Sequence, residues 1–218
     1  MHISEGVLSG PVLIAGAAVA LAGTAAGLKK LELDHVAQAG MLSAAFFVAS
    51  LIHVPVGPSS VHLILNGIVG LLLGWAAFPA ILTALLLQAM LFQYGGITTL
   101  GVNTVIMALP AVVCYHLFGP LILKRQALAA MAAFACGAGS VFLGAVLVGA
   151  SLMFTEGSFL EVAGLVVTAH LPVMIIEGVV TVFCVAFLKK VKPEMLPGYL
   201  PPHGSFTQHD QSADRTNR

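Results

Sequence analysis

Residues 127–153 read ALAAMAAFACGAGSVFLGAVLVGASLM, an uncharged apolar stretch. Crossing a bilayer as a helix takes about 20 mostly apolar residues, so this stretch is long enough to span a membrane. The whole chain has the same character, because 59% of its 218 residues are hydrophobic, 8% are charged and the mean hydropathy is +1.01. A soluble domain is about a quarter charged. The sequence therefore predicts an all-α integral membrane protein.

Stretches of spanning length recur along the chain. We place seven membrane spans near residues 11–28, 36–54, 61–77, 79–94, 104–123, 127–153 and 160–188. The third and fourth spans are short and are separated only by a turn near Pro79. We expect residues 1–192 to form one seven-helix transmembrane domain. The proline-containing and polar residues 193–218 form a cytoplasmic tail that is partly disordered.

The basic residues predict how this seven-helix bundle is oriented. With seven spans, every Lys and Arg falls on one face, namely Lys29, Lys30, Lys124, Arg125, Lys189, Lys190, Lys192, Arg215 and Arg218. Because loops rich in Lys and Arg stay in the cytoplasm, the N-terminus is predicted outside and the C-terminus in the cytoplasm. A six-span arrangement would scatter these charges over both faces.

The first two residues, Met1 and His2, are candidate metal ligands. The N-terminus lacks the basic region and apolar stretch of a secretory signal, so we expect Met1 to be retained. The Met1 amine, the His2 amide nitrogen and the His2 imidazole can chelate one divalent ion. A fourth nitrogen would complete a square plane, which suits Ni(II) and Cu(II). The alternative interpretation is a short disordered leader.

The candidate for the fourth nitrogen is His62, at the outer end of the third span, with His53 as its rival. A histidine that caps a helix at the interface is the structural alternative. We expect the outer segment 92–104, rich in Gly and Thr, to hold the N-terminus from behind. There Asn103 or a Thr hydroxyl would accept the second imidazole N–H, unless the segment is only a helix-capping turn.

Three further polar residues, His116, His170 and Glu177, are predicted at membrane depth and form a candidate buried cluster. Ionisable groups at that depth are functional candidates if they face the interior, although a self-satisfied structural cluster is equally open. With His53 they suggest the rival function of an intramembrane metalloenzyme. His35, His203 and His209 are predicted to be solvated in the cytoplasm.

Other function classes find little support in the sequence. It contains no HExxH motif and no Gly-Lys pair from which a phosphate-binding loop could be built. No ring of charges suggests a passive channel. A vitamin-binding subunit would need an aromatic-lined pocket, and the single tryptophan, Trp75, is predicted at the inner interface. Nothing indicates nucleic acid, because no basic patch is present.

Four motifs together resemble the CbiM/NikM family, the substrate-binding membrane (S) components of energy-coupling-factor cobalt and nickel transporters. They are MHISEG at 1–6, SSVHL at 59–63, GGITTLGVNT at 95–104 and HLPVMIIEG at 170–178. The resemblance extends from Met1 to about Tyr199. The stretch 59–63 is more similar to the cobalt branch than to the nickel branch.

The resemblance implies a seven-helix bundle whose inserted N-terminus supplies metal ligands. Met1, His2 and His62 would form a four-nitrogen site for transported Co(2+), with Ni(2+) as the second candidate, and the chain would not be an enzyme. The implied partners are a membrane coupling (T) subunit, two cytoplasmic ATPase subunits and a small additional membrane subunit in a prokaryotic cytoplasmic membrane. The implied supporting residues are Ser60, Gly95, Gly96, Thr98, Thr99 and Asn103.

Overall fold

The computed structural model describes residues 3–56, 59–155 and 160–199, with the backbone alone described for 53–56, 59–62, 160–163 and 165. Its elements are α1 Gly10–Lys30, α2 Val36–Ala49, β1 His53–Val56, β2 Ser59–His62, α3 Asn66–Leu73, α4 Ala77–Phe92, α5 Leu100–Phe118, α6 Gln126–Met153, α7 Leu160–Ala169 and α8 Leu171–Val191. Within this part of the chain, 5 helical stretches are long and apolar enough to cross a membrane. The prediction of a helical, multi-pass membrane protein is confirmed.

Helix α1 matches the predicted first span, and residues at both of its ends indicate in the sequence where the helix begins and ends. A proline in its first turn suits a position where the backbone N–H has no partner in the helix. Lys29 and Lys30 lie in its last turn, where positive charge is favourable beside the exposed carbonyl groups. Helix α6 likewise matches the stretch 127–153.

The second and third predicted spans meet in a hairpin of two strands, which corrects the prediction of helix up to residue 54 and from residue 61. Helix α2 ends at Ala49, and β1 pairs antiparallel with β2. In this register the Cα of His53 lies opposite that of His62, and Pro55 lies opposite Ser60. The prolines in this stretch disfavour a helix, because proline lacks the N–H that the helix would use. Helix α3 is correspondingly short.

The turn between α3 and α4 lies at Gly74–Ala76 and not near Pro79 as predicted. Gly74 has φ +54°, a conformation that glycine adopts without the steric cost of a side chain. The direction of α3 follows from its contacts with α5. Asn66 bonds to Met107 and Gly70 packs on Ala111, so the two helices run parallel.

Helix α4 runs the other way. Gly27 near the end of α1 packs on Trp75 and Pro79 at the start of α4, and the Glu5 N–H ahead of α1 donates to the Gly95 carbonyl just beyond α4, so α4 is antiparallel to α1. Helix α1 itself is parallel to α5. Gly16 packs on Val102 near the start of both helices, and Lys30 lines the same surface cavity as Tyr115 at their ends. The apolar stretch Asn66–Phe92 is therefore a helical hairpin.

The predicted seventh span is kinked at His170, where α7 ends and α8 begins. Pro172 in the first turn of α8 has no N–H to continue the hydrogen-bond ladder of α7. Helix α8 packs antiparallel on α6, because Lys189 at the end of α8 donates to the Lys124 carbonyl just before α6 begins, while Gly137 in the middle of α6 meets Thr181 in the middle of α8.

The alternating helices divide the described polar groups between two ends of the bundle. At one end the Lys189 Nζ donates to the Lys124 carbonyl at 3.1 Å, and Lys30 lies 4.9 Å from the centre of the Trp75 ring. At the other end the N–H of Ser9 donates to the Thr155 hydroxyl at 3.2 Å. The N-terminal segment, the strand hairpin and the loop 93–99 lie at this second end.

The beginning of the predicted tail packs on the bundle. Leu196 is 3% exposed and belongs to an apolar cluster with Ile122 and Val185. The described residues 193–199 are therefore continuous with the helical domain. The rest of the predicted tail lies outside the described residues.

Candidate metal site

The described part of the N-terminal segment, which begins at Ile3, packs on α5. Ile3 is 6% exposed and packs in the largest apolar cluster. The side chain of Asn103 in α5 binds the backbone of Ile3 on both sides, because its Oδ1 accepts the Ile3 N–H at 3.0 Å and its Nδ2 donates to the Ile3 carbonyl at 3.1 Å. The predicted ligands Met1 and His2 lie outside the described residues. Asn103 thus fixes the backbone of the residue next to His2.

A second attachment joins Glu5 to the loop 93–99. The Glu5 N–H donates to the Gly95 carbonyl at 3.2 Å, and the Glu5 carboxylate accepts the N–H of Thr98 at 3.1 Å and its hydroxyl at 3.3 Å. The backbone N–H of Thr98 holds the pKa of Glu5 below its usual value, because it stabilises the ionised form. Gly96 has φ +140°, and a Cβ there would overlap the Glu5 side chain.

Among the supporting residues predicted from the sequence, Asn103 and Gly95 contact the backbone of the N-terminal segment, and Thr98 contacts its Glu5 side chain. The prediction that Asn103 or a Thr hydroxyl accepts an imidazole N–H concerns histidine side chains outside the described residues, so it stays a prediction. Asn103 binds Ile3, and the Thr99 hydroxyl accepts from Asn103 Nδ2 at 3.2 Å and donates to the Gly96 carbonyl at 3.4 Å. Asn103 lies in α5, which begins at Leu100, four residues before the predicted fifth span. Glu5 was not predicted, because nothing local to it indicates a partner in the loop.

The segment that follows His62 is also held firmly. The side chains of His53, Ser60 and His62 lie outside the described residues, so the structure gives only the backbone pairing of the two histidines. Four residues after His62, the fully buried Asn66 donates from Nδ2 to the Met107 carbonyl at 3.3 Å. Its Oδ1 accepts the Ser140 hydroxyl at 3.0 Å. Helices α5 and α6 thereby fix the start of α3.

The two segments meet on one helix. Asn103 holds Ile3, and Met107 binds Asn66. Residues four apart in a helix are separated by about 6 Å along its axis, roughly one turn. Helix α5 thus brings the residue next to His2 and the chain that follows His62 to adjacent turns.

The predicted cluster of His116, His170 and Glu177 is not formed, which corrects the placement of these residues at one depth. His116 is exposed in the last turn of α5 and accepts the Trp75 Nε1–H at 3.1 Å. His170 lies at the kink before α8, with Nδ1 2.7 Å from the Val166 carbonyl oxygen. Among the described residues, no group of three or more His, Cys, Asp or Glu side chains could hold a metal ion.

Glu177 is fully buried in α8 and has a different role. Its Oε1 accepts the backbone N–H groups of Ile64 and Leu65, the latter at 2.8 Å. These two residues lie between β2 and α3. Sequence reasoning identified Glu177 as a buried functional candidate, but its partners lie more than a hundred residues away along the chain.

Comparison with known families agrees with this architecture. Residues 2–195 match the family model CbiM, described as the cobalt uptake substrate-specific transmembrane region. The chain therefore belongs to the CbiM family. It is a multi-pass cell-membrane protein and a component of metal transport, not an enzyme.

Relatives and solved structures share most of its length. A Haemophilus influenzae protein provisionally named a metal transport protein is 46% identical over 90% of this chain and 97% of its own. The cobalt transport protein CbiM of Sorangium cellulosum is 30% identical over 90% of this chain and 94% of its own. The crystal structure of a truncated transition metal transporter superposes with a TM-score of 0.70, at 27% identity, covering 87% of this chain and 99% of that one.

Proposed function

We propose that this chain is the substrate-capture subunit of an ATP-driven energy-coupling-factor importer for divalent cobalt, with nickel as the alternative ion. In this proposal the ion is bound by the Met1 amine, the amide and imidazole nitrogens of His2, and His62. The chain crosses the membrane seven times, with α7 and α8 forming one crossing, its N-terminus outside and its C-terminus in the cytoplasm.

The observation that supports this proposal best is the convergence on α5. Asn103 fixes Ile3, one residue after His2, and the next turn of the helix binds Asn66, four residues after His62. Two chain segments that carry candidate nitrogen ligands are thus held close together at one end of the bundle. That end is opposite the one where the described lysines lie, as the charge distribution requires for an external site.

The proposed ligands determine how ions would be selected. Coordination by the His2 amide requires loss of its proton, and the amine and imidazoles must also be unprotonated. Binding therefore releases protons and weakens as pH falls. The affinities of Co(II) and Ni(II) for nitrogen ligands differ modestly, and selection among divalent metal ions depends on geometry more than on raw affinity. Zn(II) would therefore be excluded by the geometry of the site. Zinc favours a tetrahedron, which a planar chelate does not provide.

The same proposal includes the energy source and the partners. The sequence has no Gly-Lys pair for a phosphate-binding loop, so ATP hydrolysis is assigned to two cytoplasmic ATPase subunits. A membrane coupling subunit and a small additional membrane subunit complete the importer. Full-rate uptake by this chain in vesicles without those subunits would contradict this part of the proposal.

The ligand assignment is tested by comparing His62→Ala with His53→Ala, since the two histidines occupy paired positions in the hairpin. Titrations of the purified full chain with Co(II) and with Ni(II) give the affinity of each variant. We expect stoichiometric high-affinity binding to be lost in His62→Ala and retained in His53→Ala. The reverse result would assign the ligand to His53, and retention in both would refute the proposed site.

A further inference from the structure

The polypeptide that leaves the strand hairpin passes directly over α8. His62 is the last residue of β2, and Ile64 and Leu65 follow before α3 begins at Asn66. Leu65 has φ +56°, in the left-handed region that residues other than glycine rarely occupy. A backbone held in such a conformation requires specific contacts from its surroundings.

Glu177 provides those contacts from a distant part of the sequence. One carboxyl oxygen, Oε1, accepts the N–H groups of both Ile64 and Leu65. Neither N–H is available to a strand or helix ladder at this point, because β2 has ended and α3 has not begun. A buried backbone N–H needs a partner, so the carboxyl group replaces the missing ladder.

Stability alone does not account for a carboxyl group at this position. Glu177 is fully buried, and its second oxygen, Oε2, has no hydrogen-bond partner among the described residues. Ionisable side chains inside a membrane are costly and are generally associated with function. We therefore ask what function is served by the hydrogen bonds that Oε1 accepts from Ile64 and Leu65.

The start of α3 is packed tightly against α6, and α6 is packed tightly against α8 at Glu177. Gly67 packs against Gly137 of α6, where a Cβ would lie 2.8 Å from the Gly137 Cα. Gly137 in turn packs against the Glu177 backbone, where a Cβ would lie 2.5 Å from the carbonyl oxygen. The first turn of α3, α6 and α8 are thus in direct contact, and Glu177 cannot shift without moving the segment 64–67.

We infer that Glu177 is a positioning residue for metal capture, which holds the backbone after β2 so that His62 is presented to the ion in one fixed place. This inference rests on the proposed function, because it takes His62 as a ligand. Groups that orient metal ligands typically change metal affinity about 10–100-fold when they are removed. Glu177 would act through the backbone of Ile64 and Leu65 and would not touch the ion.

The test compares Glu177→Gln and Glu177→Ala with the control Thr181→Val. The control removes a buried hydroxyl one turn away whose bond is to its own helix, at 2.7 Å from the Glu177 carbonyl oxygen. The purified full chain is titrated with Ni(II), and the visible absorption of the bound ion reports its coordination geometry. Folded yield and thermal unfolding in detergent are measured for each variant.

We expect Ni(II) affinity to fall about 10–100-fold in Glu177→Ala with a changed absorption spectrum. Glutamine keeps an oxygen acceptor, so Glu177→Gln should bind more weakly than the parent but with the parental spectrum. Thr181→Val should match the parent in both respects. If the alanine variant does not fold, the comparison of Ni(II) affinity between Glu177→Gln and Thr181→Val tests the inference. Parental affinity and spectrum in every folded Glu177 variant would overturn the inference.

A double variant separates this inference from the proposed function. If Glu177 acts through His62, then His62→Ala with Glu177→Gln should bind no more weakly than His62→Ala alone. Additive losses would show that Glu177 acts by another route and would overturn the inference. Unchanged affinity in His62→Ala would refute the proposed site itself. If Ni(II) affinity falls in His62→Ala but not in the Glu177 variants, only the positioning role of Glu177 is refuted.

Discussion

Glu5 joins the N-terminal segment to the loop 93–99 by three hydrogen bonds. Two of these come from Thr98, and the third runs from the Glu5 N–H to the Gly95 carbonyl. Together with the Asn103 contacts to Ile3, they fix the course of the chain immediately after His2. If Met1 and His2 are ligands, this attachment reduces the conformational entropy that metal binding would otherwise cost.

The Glu5 attachment should depend on pH. Its pKa is lowered in the folded protein, so its contribution is present above the ordinary glutamate pKa of about 4.3 and is lost as pH falls through the lowered value. In metal-free protein, exchange protection of the Thr98 N–H should follow this pattern after correction for intrinsic exchange. Hydrogen–deuterium exchange of the peptide covering 93–99 measures it.

Two variants give the controls for this measurement. Glu5→Gln should show weaker protection without the acid transition. Thr98→Val keeps its backbone N–H, which has the larger effect on the Glu5 pKa, and should retain the transition. An unchanged acid transition in Glu5→Gln would assign it to another group.

At the scale of helices, closely packed glycines hold the bundle together. Small residues recur four apart in the sequence at 6/10, 16/20, 23/27 and 70/74, a spacing that favours close helix packing in a membrane. Gly16, Gly23, Gly27 and Gly70 do lie against neighbouring helices. Gly6 and Gly10, selected by the same pattern, have open space where a Cβ would be. Spacing alone therefore indicated the kind of contact but not which of these residues make it.

Gly67→Ala tests the contact between α3 and α6. Its Cβ would lie 2.8 Å from both the Gly137 Cα and the Ser140 hydroxyl. We expect a loss of about 1–3 kcal/mol in the free energy of unfolding, the usual cost of overpacking. Denaturant unfolding in mixed micelles measures this. Gly40→Ala is the control, because a Cβ there meets nothing within 4 Å. Equal stability of the two variants would contradict the tight contact.

Some helix and strand boundaries could be predicted from the local sequence, and others could not. Helix α1 was predictable because apolar residues end at Lys29 and Lys30. The strand hairpin was not, because seven of residues 53–62 are His, Pro, Gly or Ser, a composition that is as typical of an irregular loop as of a hairpin. His116 was placed too deep because the predicted fifth span started at residue 104, whereas α5 starts at Leu100 and His116 falls in its last turn. The partners of Asn103 and Glu177 depend on tertiary contacts that no local pattern contains.

For the whole molecule, the packing of the helices and the distribution of charge lead to the same topology. The directions of α1, α3, α4 and α5 alternate as seven crossings require. The described lysines gather at one end, which the positive-inside rule assigns to the cytoplasm. In the proposed topology of seven crossings, the extended strands before the short α3 would complete its crossing, which helix length and hydropathy do not count.

Cysteine labelling tests this topology. In a variant whose native Cys114, Cys136 and Cys184 are replaced by alanine, Ile97→Cys and Leu33→Cys place thiols on sites that are 68% and 90% exposed. We expect a membrane-impermeant reagent to label residue 97 in intact cells and residue 33 only after lysis. Labelling of both sites from the same side would contradict the alternation, and the opposite pattern would invert the orientation.

The most direct test of the account is the metal content of the purified chain with a free Met1 amine, compared with a form carrying one extra residue before Met1. Mass spectrometry verifies each terminus, and elemental analysis measures bound cobalt and nickel. The terminal chelate predicts about one ion per chain in the first form and none in the extended form. Equal metal content in both forms would contradict a site built on Met1 and His2.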